Sequence, residues 1–416
     1  MDLRAGAVDL RALPLRAAAA RPRVLLLPMP GGTAARLAVE RELRRRDLPA
    51  ALTPAEADVV LVAGPGSPAL AAAVDRLWRD TPLPRVRAHA RTAEEAAGVL
   101  EAARARLAAP PALRQEGRDG AGPPRDEGGD DHDGGHDGGG DGHGGHGGHG
   151  EMEMPGGLPM AEVGPDRDGL ALDRLHIPLG PLLTDWPAGL VLRLTLQGDV
   201  IQHAEADTSA LRASTLPGPP FWSAPWRRAA AGAPVTAGEA ARRRAAARLD
   251  GLGRLLAVAG WPAMGTAARR LRDDLLAGAP AAVCAPRARR LAARVGRSRT
   301  LYWLTRGIGT GIGTGTTGEL PARYRALLAA TAEDTARLED PAPLDPDREP
   351  GPRAPESEPS EDVVAALPGL LEGAELATAR LIVAALDPDP DELAGAPSGP
   401  ERPEWPERPG GEVRHD

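Results

Sequence analysis

Residues 52–78 read LTPAEADVVLVAGPGSPALAAAVDRLW, and residues 81–86 read TPLPRV. Within this stretch, residues 59–63 form a continuous apolar run that a Gly-Pro-Gly turn closes, which is typical of a buried parallel strand. Pro68 suits the first turn of a helix, where its missing N–H costs nothing. The next strand is expected at residues 84–88. Alternating strands and helices predict a parallel sheet with flanking helices.

The sequence on either side continues the alternation. Residues 23–27 are a further apolar run, and Thr33 can cap the helix that follows it. That helix has an arginine-rich polar face that includes Arg36. A last helix is expected over residues 92–107. An α/β N-terminal domain is therefore predicted, with a small parallel sheet and flanking helices.

The order of strand, Gly-Pro turn, helix and Pro-bounded strand resembles the small iron-sulfur subunit of complex I (NADH-quinone oxidoreductase) and the related small subunits of nickel-iron hydrogenases. The resemblance implies a flavodoxin-like fragment and four cysteines that hold a four-iron cluster. Cys284 is the only cysteine in this chain. At the family's paired cysteines the chain has Met-Pro-Gly-Gly (residues 29–32), and after the third strand it has Arg-Ala-His-Ala (residues 87–90). No cluster cage can be built from this polypeptide, so no iron-sulfur cofactor is expected. A single histidine, His89, is expected to be a surface or hydrogen-bonded residue rather than a metal ligand.

Glycine, proline and aspartate dominate residues 109–168, which predicts a flexible linker. Five histidines stand among the glycines and aspartates of residues 130–150, namely His132, His136, His143, His146 and His149. Imidazoles on a flexible chain can chelate nickel, zinc or copper. Two interpretations stay open, a nickel or zinc site and a low-complexity tether. These five residues are the candidate metal ligands, and no catalytic or cofactor-binding residue is predicted.

A second recognisable segment runs from residue 175 to residue 201. Leucines at every second position of residues 190–196, followed by a Gly-Asp turn, predict a β-hairpin. The segment resembles the opening of complex I's large quinone-site subunit, a relative of the nickel-iron hydrogenase large subunit. In that family the loop before the hairpin carries a histidine that contacts the quinone. Here the loop has Trp186, Pro187 and Ala188, and His176 does not match the motif.

Further downstream, residues 237–259 resemble the first long helix of that large subunit, and their arginines are expected to form a solvated face. Residues 363–386 resemble its C-terminal helix, which in the family ends in an aspartate near the quinone or the metal centre. The cysteine pairs that bind nickel in hydrogenases are missing. The glycine repeat after Arg306 follows no strand and the chain has no lysine, so a flexible loop is expected rather than a phosphate loop. Cys284 is expected to be a small buried residue.

The net charge of −8 argues against a nucleic-acid partner. Without an apolar run of membrane length, the chain is expected in the cytoplasm, with a peripheral position on the inner face of the cell membrane as the alternative. The C-terminal domain is expected to be α+β, mainly helical, with an N-terminal hairpin. The predicted segments are an α/β domain (1–108), a Gly/Asp/His-rich linker (109–168), a hairpin and helical domain (169–340), a Pro/acidic linker (341–360), a C-terminal helix (361–390) and a disordered tail (391–416).

The resemblance implies a degenerate fusion of the two complex I subunits. The first hypothesis is a non-catalytic accessory or assembly subunit whose partners are membrane and peripheral subunits of a complex I-like assembly. The second is a nickel- or zinc-handling protein that acts on a hydrogenase-like client through the histidine tract. A third is an active quinone oxidoreductase subunit that uses a partner's cluster. Independent enzymatic activity is not expected.

Overall fold

A computed structural model describes residues 21–109, 162–165, 171–309, 311, 318–349, 351–352 and 359–394. Residues 21–109 form one lobe, called the small lobe, and the described residues from 171 to 394 form the large lobe. The predicted histidine tract lies outside the described residues. Of the predicted tail, only residues 391–394 are described.

The small lobe is a three-stranded parallel sheet with helices, which confirms the predicted fold class. Its elements are β1 (Val24–Pro28), α1 (Thr33–Arg45), β2 (Val59–Ala63), α2 (Ala71–Arg79), β3 (Val86–Ala90) and α3 (Ala96–Ala108). The strand order is β1-β2-β3, with β2 in the centre. In the flavodoxin order the first strand lies between the second and third. The likeness therefore covers strand direction and helix placement but not strand order.

Both faces of the small sheet are buried, which explains why its central strand is apolar throughout. Leu61 of β2 points to the face covered by α1 and α3, where Val39 and Leu100 are buried. The next residue, Val62, points to the opposite face with Val74 of α2. Neighbouring residues of a strand face opposite ways, so a sheet covered on both sides needs apolar residues at every position.

The large lobe begins with an antiparallel sheet. Its strands are β5 (Ala171–Leu179), β6 (Val191–Gln197) and β7 (Val200–Asp207), and the short β4 (Glu162–Pro165) pairs with β5. The predicted hairpin is confirmed as β6 and β7, and Gly198 in its turn has a φ of 63°. A positive φ suits glycine, which has no Cβ to clash with the backbone.

Ten helices of the described chain follow this sheet. They are α4 (Ser209–Arg212), α5 (Ala224–Ala230), α6 (Ala237–Val258), α7 (Pro262–Leu276), α8 (Ala281–Gly296), α9 (Arg299–Thr305), α10 (Leu320–Ala336), α11 (Ser360–Leu371), α12 (Leu376–Leu386) and α13 (Pro390–Leu393). Leu249, Leu252 and Leu256 of α6 lie in the main helical core, together with Cys284 of α8. Cys284 is fully buried, as predicted. None of the helices in the described ranges is long and apolar enough to cross a membrane.

The prediction of one C-terminal helix over residues 361–390 was wrong, because the chain folds there into α11, α12 and the short α13. Gly373, with a φ of 82°, lies at the break between α11 and α12. Its N–H donates to the Ile201 carbonyl at 2.8 Å, and the Ile201 N–H donates to the Ala374 carbonyl at 2.9 Å. The break therefore lets backbone groups of the connection form hydrogen bonds with β7. In a continuous helix these groups would form hydrogen bonds within the helix.

Part of the predicted Pro/acidic linker packs on the large lobe. Leu344 is buried with Trp226 and Val235, and its N–H donates to the Val235 carbonyl at 2.8 Å. Residues 341–349 thus lie against the start of α6.

Candidate functional site

Three segments singled out in the sequence meet between the two lobes. Residues 28–29 end β1, residues 186–188 precede β6, and residues 387–390 follow α12. Together with Trp222 and three residues of α1 and α6, they line a cavity of about 30 Å³. A water molecule needs roughly 10–15 Å³, so this cavity has room for about two. The structure thus brings together positions that are hundreds of residues apart in the sequence.

The loop of residues 29–32, which follows β1, is packed against the large lobe. Gly31, with a φ of 74°, donates its N–H to Asp391 Oδ1 at 2.9 Å. Gly189, with a φ of 83°, lies so close to Pro30 that a Cβ there would come within 3.0 Å of the proline Cγ. Ligands of open parallel sheets bind at the carboxyl ends of the strands. In this chain the large lobe covers that edge at β1.

Apolar contacts also join the lobes. Leu37 of α1 belongs to the large lobe's helical core, where Trp222 is buried nearby. Met29 is 3% exposed and shares a core with Leu182, which precedes β6. The small lobe is therefore docked through its own side chains.

A network of ion pairs crosses the same interface. Arg36 Nη2 lies 2.7 Å from Asp250 Oδ2, and Arg44 Nη2 lies 2.6 Å from Asp273 Oδ2. Glu40 Oε2 accepts a contact of 3.0 Å from Arg272 Nη1. The interlobe ion network comprises Arg36, Glu40 and Arg44 of α1, Asp250 and Arg254 of α6, Arg272 and Asp273 of α7, and Asp387. Its four guanidinium groups balance its four carboxylates.

Two carboxyl groups of the network are held ionised. Asp250 is 1% exposed, and such burial by itself raises a carboxyl pKa. Arg254, Arg36 and Arg272 outweigh this effect and hold the pKa of Asp250 well below its ordinary value. Burial likewise acts to raise the pKa of Glu40, but Arg272 and Arg36 lower it far more. Neither group can donate a proton near neutral pH, so both act as fixed charges.

Asp387, which directly follows α12, also joins the network. Arg254 bridges it to Asp250, with contacts of 2.6 Å to Asp387 Oδ1 and 2.9 Å to Asp250 Oδ2. Asp387 ends α12 in the left-handed conformation, with φ 49° and ψ 56°. A Cβ at Gly251 would come within 2.7 Å of Asp387 Oδ2, so the close approach of α6 to this carboxylate requires a glycine.

Two other carboxyl groups at the interface bind protons more readily than usual. Burial raises the pKa of Asp391, against the hydrogen bonds from Thr33 and the Gly31 N–H. Burial also raises the pKa of Asp185, although this residue pairs with Arg269. The interface therefore holds proton-binding carboxyls beside permanently ionised ones.

A second buried ion cluster corrects the prediction that the arginines of α6 form a solvated face. Arg244 and Arg248 are 2% and 7% exposed, and both pair with Asp334 of α10. Arg244 Nη2 lies 2.9 Å from Asp334 Oδ1, and Glu349 contacts the same guanidinium at 3.3 Å. The prediction was wrong because other helices surround α6, and buried arginines are tolerated where carboxylates pair with them.

The structure describes two of the histidines discussed above, His89 and His176. The five histidines of the tract lie outside the described residues. His89 Nε2 lies 2.8 Å from the Gly64 carbonyl oxygen, which fits a hydrogen-bonded histidine. His176 Nδ1 lies 3.1 Å from Thr195 Oγ1. In the described part of the chain, no group of three or more His, Cys, Asp or Glu side chains is placed to hold a metal ion.

Sequence reasoning missed the residues that join the lobes. Two signals were available for them. Arg36, Glu40 and Arg44 are spaced four apart and so share one face of α1. Asp250 is the only acidic residue between Glu239 and Asp273, in an otherwise apolar and basic stretch.

Comparisons with known proteins add no relative: no protein-family model, curated protein or solved structure matches this chain significantly. The resemblance to complex I subunits therefore rests on the sequence segments described above.

Proposed function

We propose that this chain is a non-catalytic accessory or assembly subunit of a membrane-associated complex I-like assembly, of the NADH-quinone oxidoreductase or hydrogenase-like kind. The observation that supports the proposal most directly is the meeting of residues 28–29, 186–188 and 387–390 at one cavity. Two of these segments resemble the large subunit and one resembles the small subunit. In the assemblies they resemble, the corresponding segments surround the cluster and the quinone.

The contents of the interface favour a structural role. Met29 and Gly31 stand in the loop where the family has its paired cysteines, and the cavity has room for about two water molecules. Asp250 and Glu40 stay ionised because of their arginine partners, so they serve to join the lobes rather than to transfer protons. Such a chain would present a small-subunit-like and a large-subunit-like surface in fixed relation to a partner.

The test is purification of the tagged full chain from its native membranes, with mass spectrometry of the partners and metal analysis of the same sample. Co-purified proton-pumping membrane subunits are the expected result. In cells that lack the chain, the amount of assembled complex on native gels should fall, and it should return when the chain is restored. An iron-sulfur absorption band together with quinone reductase activity in the purified chain alone would contradict the proposal.

The histidine tract supports a second candidate, a nickel- or zinc-handling protein that acts on a hydrogenase-like client. Five imidazoles within residues 130–150 provide suitable ligands on a glycine-rich chain. Replacing all five with serine should lower the metal content of the client if this candidate is right. His203→Ser is the matched control, because His203 is exposed and lies outside the tract. Unchanged client metal after the fivefold replacement would leave the tract as a tether.

A third candidate, an active quinone oxidoreductase subunit that uses a partner's cluster, has less support. It needs room for a quinone head group beside Asp387, and the two cavities that this residue lines measure only about 30 Å³ and 40 Å³. Quinone-dependent oxidation by the reconstituted assembly, lost on Asp387→Asn but kept on Asp274→Asn, would favour it.

A further inference from the structure

One stretch of the chain carries arginines and no acidic residue, although the whole protein has a negative net charge. Residues 275–318 contain no aspartate or glutamate, while the net charge of the chain is −8. The stretch covers α8, α9 and the residues after them. Its arginines are Arg287, Arg289, Arg290, Arg294, Arg297, Arg299 and Arg306.

Helix α9 places large apolar side chains at the surface of this stretch. Trp303 is 64% exposed and Leu304 is 51% exposed, and Tyr302 beside them is 36% exposed. Leu301 and Thr305 are buried and fix the helix to the large lobe. Three adjacent large side chains thus face solvent on a helix that is firmly held.

Arginines flank these apolar side chains. Arg299 and Trp303 are four residues apart and so fall on one side of α9, and Arg306 directly follows the helix. The guanidinium of Arg325, from α10, lies 5.2 Å from the centre of the Tyr302 ring. The ion pairs found among the described residues do not include Arg299, Arg306 or Arg325. We call Arg299, Tyr302, Trp303, Leu304, Arg306 and Arg325 the Trp303 patch.

We propose that the Trp303 patch docks on the surface of an anionic lipid bilayer. Tryptophan, tyrosine and leucine side chains enter the boundary between lipid headgroups and acyl chains, and arginines beside them attract anionic headgroups. The charge of the patch is complementary to such a surface and opposite in sign to that of the whole chain. Docking through α9 would orient the chain on a membrane without any spanning helix.

A protein partner with an acidic surface would offer the same charge complementarity. The lipid surface is favoured because the patch combines a protruding tryptophan with arginines that lack a carboxylate partner in the described part of the chain. A bilayer accepts such a side chain at any position, whereas a protein needs a matching pocket. The inference does not rest on the proposed function, since none of the patch residues belongs to the lobe interface.

The experiment uses the purified full chain and sedimentation with lipid vesicles. We expect binding to vesicles of phosphatidylcholine mixed with phosphatidylglycerol, weak binding to phosphatidylcholine alone, and a loss of binding as salt is raised. The double variant Trp303→Ser/Leu304→Ser should lower the partition coefficient by tenfold or more. Arg299→Gln and Arg306→Gln should each lower it by about fivefold.

Matched controls come from elsewhere on the surface. Leu83 is 78% exposed on the small lobe, where Arg91 is also exposed, so Leu83→Ser and Arg91→Gln should leave vesicle binding unchanged. Because the patch side chains are exposed, the variants should keep the thermal midpoint of the parent chain, and that midpoint is measured with each. Absence of binding to anionic vesicles, equal binding to neutral vesicles, or binding that survives Trp303→Ser/Leu304→Ser would each overturn the proposal. Capture of an acidic protein in place of vesicles would do the same.

Discussion

Replacing Asp250 with asparagine tests the interlobe ion network at its centre. Asp250 accepts contacts from Arg36, Arg254 and Arg272, and its side chain is 1% exposed. Asparagine has nearly the same shape, so the substitution removes the charge and little else. Three guanidinium groups would then share a buried interface with one carboxylate fewer.

The expected magnitude follows from burial. Removing one partner of a buried ion pair costs about 3–5 kcal/mol, because the other charge stays buried without compensation. For a folded unit of 150–250 residues, each kcal/mol lowers the thermal midpoint by about 2–4 °C. Asp250→Asn should therefore lower the midpoint by roughly 6–20 °C.

The matched control is Asp274→Asn. Asp274 also pairs with an arginine, Arg287, but the two side chains are 41% and 39% exposed. Exposed ion pairs contribute about 0–1 kcal/mol, so this midpoint should fall by less than about 4 °C. Calorimetry of both variants at neutral pH decides between the two cases.

The pH dependence gives an independent check on the charge. The folded-state pKa of Asp250 is lowered, so its contribution is present above the unfolded value of about 3.9 and is lost as the pH falls below it. The gap in stability between the parent chain and Asp250→Asn should therefore shrink in acid. If Asp250→Asn costs no more than Asp274→Asn, or if the gap does not change in acid, the network does not hold the lobes together.

Two further predictions concern the same interface, and a third concerns the loop after β1. Burial raises the pKa of Asp391, so relative to Asp391→Asn the parent chain should gain stability in chemical denaturation as the pH falls from 7 toward about 4. A parent chain that loses stability relative to Asp391→Asn over this range would contradict the assignment. Arg44→Ala removes the 2.6 Å contact with Asp273 and should lower the free energy of unfolding by about 1.5–3 kcal/mol. Arg45 lies on the same helix but is 63% exposed, so Arg45→Ala should lower it by under about 1 kcal/mol. Equal losses of the two variants in urea unfolding would refute this difference. A Cβ at Gly32 would come within 2.5 Å of the Ala63 carbonyl oxygen, so Gly32→Ala should lower the free energy of unfolding by about 1–3 kcal/mol. A Cβ at Gly66 would meet nothing within 4 Å, so Gly66→Ala is the control. The thermal midpoints of the two variants are compared.

The interface also bears on how the lobes relate to the assemblies they resemble. The loop after β1 contacts Asp391 and Gly189 of the large lobe. Arginine and carboxylate pairs then join the two lobes around a cavity that has room for about two waters. These contacts between the lobes are the structural basis on which we propose an accessory role.

The sequence by itself determined the local elements. The apolar run of β2 requires burial on both faces, and alternating leucines with a Gly-Asp turn specify the β6–β7 hairpin, because strand periodicity is a local property of the chain. The single cysteine excluded a four-thiolate cage within this polypeptide without any structure. The sequence did not show that Arg244 and Arg248 are buried, because an arginine-rich helix has the same sequence pattern whether solvent or carboxylates surround it.

Tertiary structure alone decided the interface. Arg36 and Asp250 are 214 residues apart, and Gly31 and Asp391 are 360 residues apart, so no local pattern pairs them. The split between α11 and α12 likewise depends on hydrogen bonds to β7, which exist only once the sheet is placed. Charged side chains and backbone groups that are distant in the sequence come into contact only when the apolar faces of the helices and sheets pack together. That packing depends on the whole chain.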